Sequence, residues 1–267
     1  MRSRRALKKR NQDRKGMLFI FSLVAALSVA GFFAFELKAK QVERDDVSMC
    51  RSDGYISKDT VILMDATDLL TSTQVLVVNK KISGLLESAL IDERFTLYVL
   101  DDNPSGFKYS SRACNPGDGK DKSDLTSNKR RLLKKWTEGF YGKITGEIKK
   151  VVSKSHSDTS PILEMIKFSS IDTLMDSKAL KKRVIIISDL LHHTREYSHY
   201  KDGVNYENFK SSPYYYAVKP YLENVEVEIL YIAREGLSNL QNLGHIGFWE
   251  RQVQFSGGQV VKAESIY

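Results

Sequence analysis

A run of nineteen residues without a charge, Met17 to Phe35, most constrains what this chain can form. As a helix it would be about 28 Å long, close to the roughly 30 Å hydrocarbon core of a bilayer. Residues 1–16, ahead of it, contain eight Lys or Arg and one Asp. By the positive-inside rule, such a tail stays in the cytoplasm. We therefore expect a single-pass membrane protein with a transmembrane helix at 17–35 and the rest of the chain across the membrane, which is the periplasm if the membrane is a bacterial inner membrane.

A cleaved secretory signal is the alternative for the same segment. The apolar part of such a signal usually has about 7–15 residues and ends at a site of small residues. Here the apolar run is longer and ends in Phe32, Phe33 and Phe35, followed by Glu36 and Lys38. This ending favours an uncleaved anchor.

The net charge of +8 belongs mainly to the N-terminal tail. After residue 16 the chain carries 33 basic and 32 acidic residues, so it is close to neutral. Nucleic-acid binding depends strongly on neutralising phosphates with Lys and Arg. We therefore expect no nucleic-acid partner, and we interpret the basic run at 129–135 as the solvated face of a helix.

Polar residues 36–59 are typical of a stalk, and residues 60–267 are enough for one substantial domain. The only two cysteines, Cys50 and Cys114, both lie beyond the predicted membrane helix. An oxidising compartment favours a disulfide between them. It would close a loop of about 64 residues and stabilise the fold by about 4 kcal/mol in the chain-entropy treatment. Two unpaired thiols are the alternative.

Short apolar runs alternate with amphipathic segments along residues 60–267. The runs predict buried strands, and spacings of three and four predict helices. This alternation indicates an α/β fold with a doubly wound, mostly parallel sheet flanked by helices. The predicted strands are 60–65, 95–100, 183–188, 225–232 and 259–263; the predicted helices are 73–92, 128–154, 161–175, 208–223 and 245–255; residues 101–127 are predicted to form a long loop.

Two of the predicted strands lead into aspartates, Asp65 and Asp189. Ligands of doubly wound sheets bind in the crevice outside the carboxyl ends of the strands. Carboxylates with neighbouring hydroxyl groups suit hard cations such as Mg²⁺ or Mn²⁺. The structural alternative is that these side chains cap helices or bind loop amides. The candidate metal ligands are Asp65, Thr67, Ser160 and Asp189, with Asp68 and Thr159 as alternatives.

These residues resemble the metal-ion-dependent adhesion site of von Willebrand factor A-type domains. That family has a DxSxS motif after its first strand, a Thr from a later loop and an Asp after the fourth strand. Asp65 and Thr67 match the first two motif positions, a hydroxyl residue just before Pro161 matches the loop Thr, and Asp189 matches the later Asp. Leu69 departs from the motif at the second Ser. The tail around Gly247–Gly258 is similar to the closing helix of bacterial membrane-anchored members of the family.

The resemblance implies a protein-binding or assembly module of a bacterial envelope complex. In the family's mode of adhesion, a carboxylate of the partner protein completes the coordination of the cation. A tyrosine-rich segment is a second indication of a protein interface, because Tyr combines apolar area with a polar tip. The candidate interaction residues are Tyr197, Tyr200, Tyr214, Tyr215 and Tyr216.

Other chemistries are less well supported by the residues. His192, His193 and His199 could bind Zn²⁺ together with Asp189, but adjacent histidines on an extended segment point in opposite directions. The chain contains no GxxxxGK[ST] phosphate loop, no GxSxG elbow and no HExxH motif, so we expect no enzyme. The alternative is a Mg²⁺-dependent phosphohydrolase with Asp65 and Asp189 as its carboxylate site.

Overall fold

The computed structural model describes residues 16–32, 35, 42–100, 108–123, 127–152 and 157–267. The chain divides into two compact units, Met1–Glu43 and Arg44–Tyr267. In the first unit, residues 16–32 form a helix, α1. Among the described residues, none of the helices has both the length and the hydropathy needed to cross a bilayer. The transmembrane helix predicted at 17–35 extends over residues 33 and 34, outside the described part, and stays a prediction; residues 1–15 of the basic tail predicted at 1–16 also lie outside it.

The second unit is a mixed α/β domain. Two of its helical stretches contain a π-helical segment, at Lys135–Tyr141 and at Ser170–Met175. Its strands are β1 (Asp59–Asp65), β2 (Arg94–Leu100), β3 (Tyr109–Cys114), β4 (Lys182–Ser188), β5 (Val225–Ile232) and β6 (Gln259–Ile266), and its helices are α2 (Ser72–Glu87), α3 (Lys129–Lys134), α4 (Gly142–Val152), α5 (Ile162–Ser169), α6 (Tyr206–Lys210), α7 (Pro213–Val218) and α8 (Leu243–Phe255).

The six strands form one sheet in the order β3-β2-β1-β4-β5-β6. All neighbours are parallel except β3, which pairs with β2 antiparallel. The chain winds from β1 towards β3 on one side and from β4 towards β6 on the other. The switch in winding direction therefore lies between β1 and β4, where a doubly wound sheet opens its ligand crevice. The predicted α/β class with a mostly parallel sheet is confirmed.

Both faces of the sheet are buried under helices, as expected for parallel strands. Along β1, Val61 and Leu63 point into the core shared with α5 to α8, whereas Ile62 and Met64 point into the core shared with α2 and α4. This alternation follows from the two-residue period of a strand. Because the side chains on both faces are buried, the strands are continuous apolar runs and do not alternate between apolar and polar residues.

Several predicted boundaries were wrong. The predicted loop at 101–127 contains β3, an edge strand whose sequence YSSRAC is poor in the β-branched residues that mark a strand. The predicted helix 208–223 is two short helices, α6 and α7, separated at Ser211 and Ser212. The last strand is longer than predicted and ends at Ile266.

Part of the predicted stalk packs onto the domain. Arg44 forms an antiparallel bridge with Arg51 and an ion pair with Asp92. Cys50 is bonded to Cys114 at the end of β3, with their Cα atoms 4.7 Å apart. The predicted disulfide is therefore confirmed, and it ties the segment before β1 to the edge of the sheet.

Reduction of this disulfide is expected to lower the free energy of unfolding by about 4 kcal/mol. The crosslink closes a long loop and so lowers the conformational entropy of the unfolded chain. Urea denaturation with and without a reductant measures the change. The double variant Cys50→Ser/Cys114→Ser is the control and should be insensitive to the reductant. Equal stability of the oxidised and reduced wild-type protein would contradict the expectation.

Candidate functional site

The ends of β1 and β4 bring two carboxylates to the switch point of the sheet. Asp65 is the last residue of β1, and Asp189 directly follows Ser188, the last residue of β4. Both aspartates are almost completely buried, with 4% and 3% of their surface exposed. The sequence prediction placed these two residues correctly, because carboxyl ends of parallel strands meet at the same edge.

Asp65 joins the two strand ends through its own hydrogen bonds. Its Oδ1 accepts the backbone N–H of Thr67 at 3.0 Å and the Thr67 hydroxyl at 2.7 Å. Its Oδ2 accepts the Ser188 hydroxyl at 2.6 Å. Burial, and secondly the Asp189 carboxylate, raise the pKa of Asp65 to about 6. Both oxygens of this carboxyl group are thus used within the protein.

The loop before α5 completes the hydroxyl side of the site. The Thr67 and Ser160 hydroxyl oxygens lie 3.4 Å apart. Ser160 also forms a two-way backbone bridge with His193, with N–O distances of 2.8 and 3.0 Å. Of the two alternatives before Pro161, Ser160 is therefore the residue at the site, whereas Thr159 is exposed. Asp68 is also exposed and does not join the carboxylate pair.

Arg234, which follows β5, is the residue that sequence reasoning missed. Its Nε donates to Asp189 Oδ2 at 2.7 Å, and its Nη1 donates to the Leu69 carbonyl at 2.6 Å. The other Asp189 oxygen accepts the backbone N–H of Leu191 at 2.9 Å. The guanidinium of Arg234 therefore donates to the loop that follows β1, at Leu69. Leu69 is the residue that replaces the second serine of the DxSxS motif. Extending the strand-end rule to β5 would have drawn attention to this arginine.

This arrangement does not suit a divalent cation. Both oxygens of Asp65 and both oxygens of Asp189 accept internal hydrogen bonds, and the positively charged side chain of Arg234 already contacts Asp189. The predicted Mg²⁺ or Mn²⁺ site stays a prediction from sequence that the side-chain arrangement does not favour.

Above the carboxylate pair lies an open polar cavity, which we call the edge cavity. Its volume is about 340 Å³. Among the described residues that line it, Asp68 and Asp158, both exposed, are the two carboxylates, and His193 is the one group that could carry a positive charge. The edge cavity is lined by Thr67, Asp68, Ser157, Asp158, Thr159, Ser160, Leu191, His193 and Tyr200.

A buried group of histidines lies behind the site. His192, His199 and His245 are fully buried; the His192 and His199 rings are 6.1 Å apart, and the His199 and His245 rings 5.0 Å. The carbonyl of Leu190, which has a left-handed backbone (φ 60°), lies 2.9 Å from His245 Nε2. Because Leu190 follows Asp189, this contact fixes the loop that carries the carboxylate. The predicted zinc alternative finds no ligand group here within the described residues.

The candidate tyrosines have different environments. Tyr197 and Tyr215 are buried in the core, so the prediction that they lie at an interface was wrong for these two. Tyr214 is partly buried and donates its hydroxyl to Glu164. Tyr200 is 47% exposed in the lining of the edge cavity, and Tyr216 is 75% exposed on another surface. The positions of these tyrosines in the sequence do not indicate which of them are buried and which are exposed.

Solved structures similar to this chain include a VWA domain, an aerotolerance-related membrane protein and BatB. An aerotolerance-related membrane protein from Bacteroides fragilis NCTC 9343 is 12% identical, with 77% of this chain and 91% of that chain covered and a TM-score of 0.37. The conserved hypothetical protein BatB from Bacteroides thetaiotaomicron is 13% identical, with 79% and 91% covered and a TM-score of 0.38. The SpRpn10 VWA domain is 9% identical, with 79% and 90% covered and a TM-score of 0.44.

The predicted resemblance to von Willebrand A-like domains is confirmed, and it concerns the fold alone. No protein-family model matches the chain, and no curated protein matches it either. The site described above is therefore interpreted from its own geometry and not from these proteins.

The buried histidines predict a pH-dependent stability. Burial lowers the pKa of His192 to about 3 and that of His245 to about 4, from an ordinary value near 6.5. Between pH 6.5 and about 4 the unfolded chain binds more protons, so the free energy of unfolding falls as the pH falls. Asp65 opposes this trend, since its raised pKa gives stability that is present at low pH and lost as the pH rises through about 6. We expect the histidines to dominate.

Denaturant titration at about pH 7 and about pH 5 measures this dependence. The variant His245→Gln should be less stable at neutral pH but less sensitive to acid, because one of the protonations is lost. His193→Gln, which changes a histidine outside the buried group, is the matched control for the substitution. Equal stability of the wild-type protein at both pH values would contradict this account.

Proposed function

We propose that this chain is a membrane-anchored protein-binding module of a bacterial envelope complex. Residues 17–35 anchor it in the inner membrane, and the domain beginning near Arg44 lies in the periplasm. The partner binds at the edge cavity, at the switch point of the sheet. A cationic side chain of the partner, Lys or Arg, enters this cavity without a metal ion.

The observation that carries this proposal is the polarity of the edge cavity. Two exposed carboxylates, Asp68 and Asp158, border it together with five hydroxyl side chains. A cavity with this potential attracts a cation and repels a carboxylate.

Arg234 explains why the partner's charge is opposite to the one expected from metal-dependent adhesion. In that mode a bound cation attracts a carboxylate of the partner. Here the guanidinium of Arg234 is 16% exposed and is held by Asp189 and the Leu69 carbonyl. It neutralises Asp189 internally, so the open cavity keeps the negative charge of Asp68 and Asp158.

The periplasmic location is supported by the basic tail, by the apolar segment and by the Cys50–Cys114 disulfide, which is typical of an oxidising compartment. Alkaline phosphatase fused after Tyr267 should be active in whole cells, because it folds only where disulfides form. A fusion to a chain whose first sixteen residues have their Lys and Arg replaced by Glu is the matched control. Activity of a cytosolic reporter at the same position would contradict this topology.

Site-specific photocrosslinking in native membranes tests the binding site. A photoreactive residue at Thr159, in the lining of the edge cavity, should give a defined adduct with a partner protein. The same residue at Leu76, which is 71% exposed on α2, is the control and should not give it. The variant Asp68→Asn/Asp158→Asn should reduce the adduct at Thr159 by about tenfold, because a charge-assisted contact contributes about 1.5–3 kcal/mol.

Metal dependence separates the proposed mode from metal-dependent adhesion. Chelation with EDTA should leave the Thr159 adduct unchanged, and addition of Mg²⁺ or Mn²⁺ should not increase it. An adduct that requires either metal, or one that survives loss of both carboxylates, would contradict recognition of a cationic side chain.

A further inference from the structure

A second concave surface lies at the opposite end of the sheet, and we call it the basal groove. It borders the amino ends of β4 and β5, where Lys182 and Val225 are register partners, whereas Ser188 and Tyr231 are partners at the other end. Six residue steps of a strand correspond to roughly 20 Å. The basal groove is therefore separate from the edge cavity and does not depend on the function proposed for it. Its volume is about 750 Å³, within the usual range for a ligand site.

The floor of the basal groove is held by backbone contacts between the start of β5 and the end of α8. Leu222 N–H donates to the Ser256 carbonyl at 3.0 Å, and Asn224 N–H donates to the Gly257 carbonyl at 3.2 Å. Gly257 has a φ of 89°, and a Cβ atom there would lie 3.1 Å from the Cα of Glu223. Only glycine permits this close approach without strain. The groove is thus formed before any partner binds.

Large apolar side chains are exposed around this floor. Tyr216 is 75% exposed, Tyr221 57%, Met175 51% and Phe255 44%. Neither tyrosine hydroxyl makes a hydrogen bond to another described residue. A group of exposed aromatic residues around a preformed groove marks an interaction site, since such area is otherwise buried.

The charge of the basal groove is positive. Lys167, Lys182 and Lys219 line it, and Glu223 is the one carboxylate among the described residues of the lining. Lys167 Nζ donates to the Ala217 carbonyl at 2.6 Å, and Lys182 Nζ donates to the Leu174 carbonyl at 2.9 Å. These contacts fix the ammonium groups but leave their charge uncompensated, because no ion pair to any of the three lysines occurs in the described part of the chain.

We infer that the basal groove binds an extended acidic segment of a partner protein. Carboxylates of the segment contact Lys182 and Lys219, and an apolar side chain of the segment packs against Tyr216 and Tyr221, beside Phe255, whose ring already stacks on Tyr206 and lies under Lys210. Interleaved acidic and apolar residues match both the charge and the exposed aromatic area. The concave shape favours a peptide chain over a flat lipid surface.

Fluorescence anisotropy on the full chain in detergent tests this inference. The probe is a fluorescein-labelled peptide in which Glu and Asp alternate with Phe and Leu. We expect saturable binding that weakens as salt is added. A peptide with the same pattern but with Gln and Asn in place of the acids should bind at least about tenfold more weakly.

Variants localise the binding and separate it from the edge cavity. Lys182→Gln/Lys219→Gln should weaken binding of the acidic peptide about tenfold, and Tyr216→Ala should weaken it without changing the dependence on salt. Lys80→Gln, an exposed lysine on α2, is the matched control and should bind normally, as should Asp68→Asn/Asp158→Asn. Normal binding of the acidic peptide by Asp68→Asn/Asp158→Asn would show that the basal groove binds independently of the edge cavity. The two proposals can therefore fail separately.

Three outcomes would overturn the inference. The first is absence of binding by the acidic peptide, and the second is equal loss of binding in Lys80→Gln and in the groove variants. The third is binding to phosphatidylglycerol vesicles that depends on Lys182 and Lys219 while the peptide does not bind. The third result would assign the groove to anionic lipid instead.

Discussion

The contact of Arg234 with Asp189 is the interaction on which the site depends. Two buried carboxylates converge at the switch point, and an uncompensated buried charge there would be costly. Asp65 is stabilised by hydroxyl and amide donors, whereas Asp189 receives a fixed cation from the end of β5. This cation also contacts the β1 loop, so the loops after β1, β4 and β5 are held together without a metal. The charge that the site presents to solvent is then set by Asp68 and Asp158, which line the edge cavity.

The fold could be predicted largely from local pattern, and the site only in part. The strands β1, β4 and β5 are apolar runs with sharp polar ends, so their positions and the aspartates that follow them are visible in the sequence. Strand β3 lacks such a pattern because it is an edge strand of small and polar residues. Its place depends on pairing with β2, which local sequence does not encode.

The missed residues share a physical reason: their roles come from contacts across long stretches of chain. Arg234 is 45 residues from Asp189 in sequence, and nothing around it marks an ion-pair partner. Tyr197 and Tyr215 look like surface tyrosines in a polar segment, yet they are buried because that segment folds back over α8. Tyrosine serves both in cores and at interfaces, so its identity alone cannot separate the two.

The domain is close to neutral, but its charged residues are distributed unevenly between the two ends of the strands. Helices cover both faces of the sheet, so the ends of the strands are where loops can form concave surfaces. The end after β1 and β4 has an open cavity with carboxylates, and the end before β4 and β5 has a groove with lysines and aromatic rings. If both proposals hold, opposite charges at opposite ends would separate the two partners, because each end would repel the partner of the other.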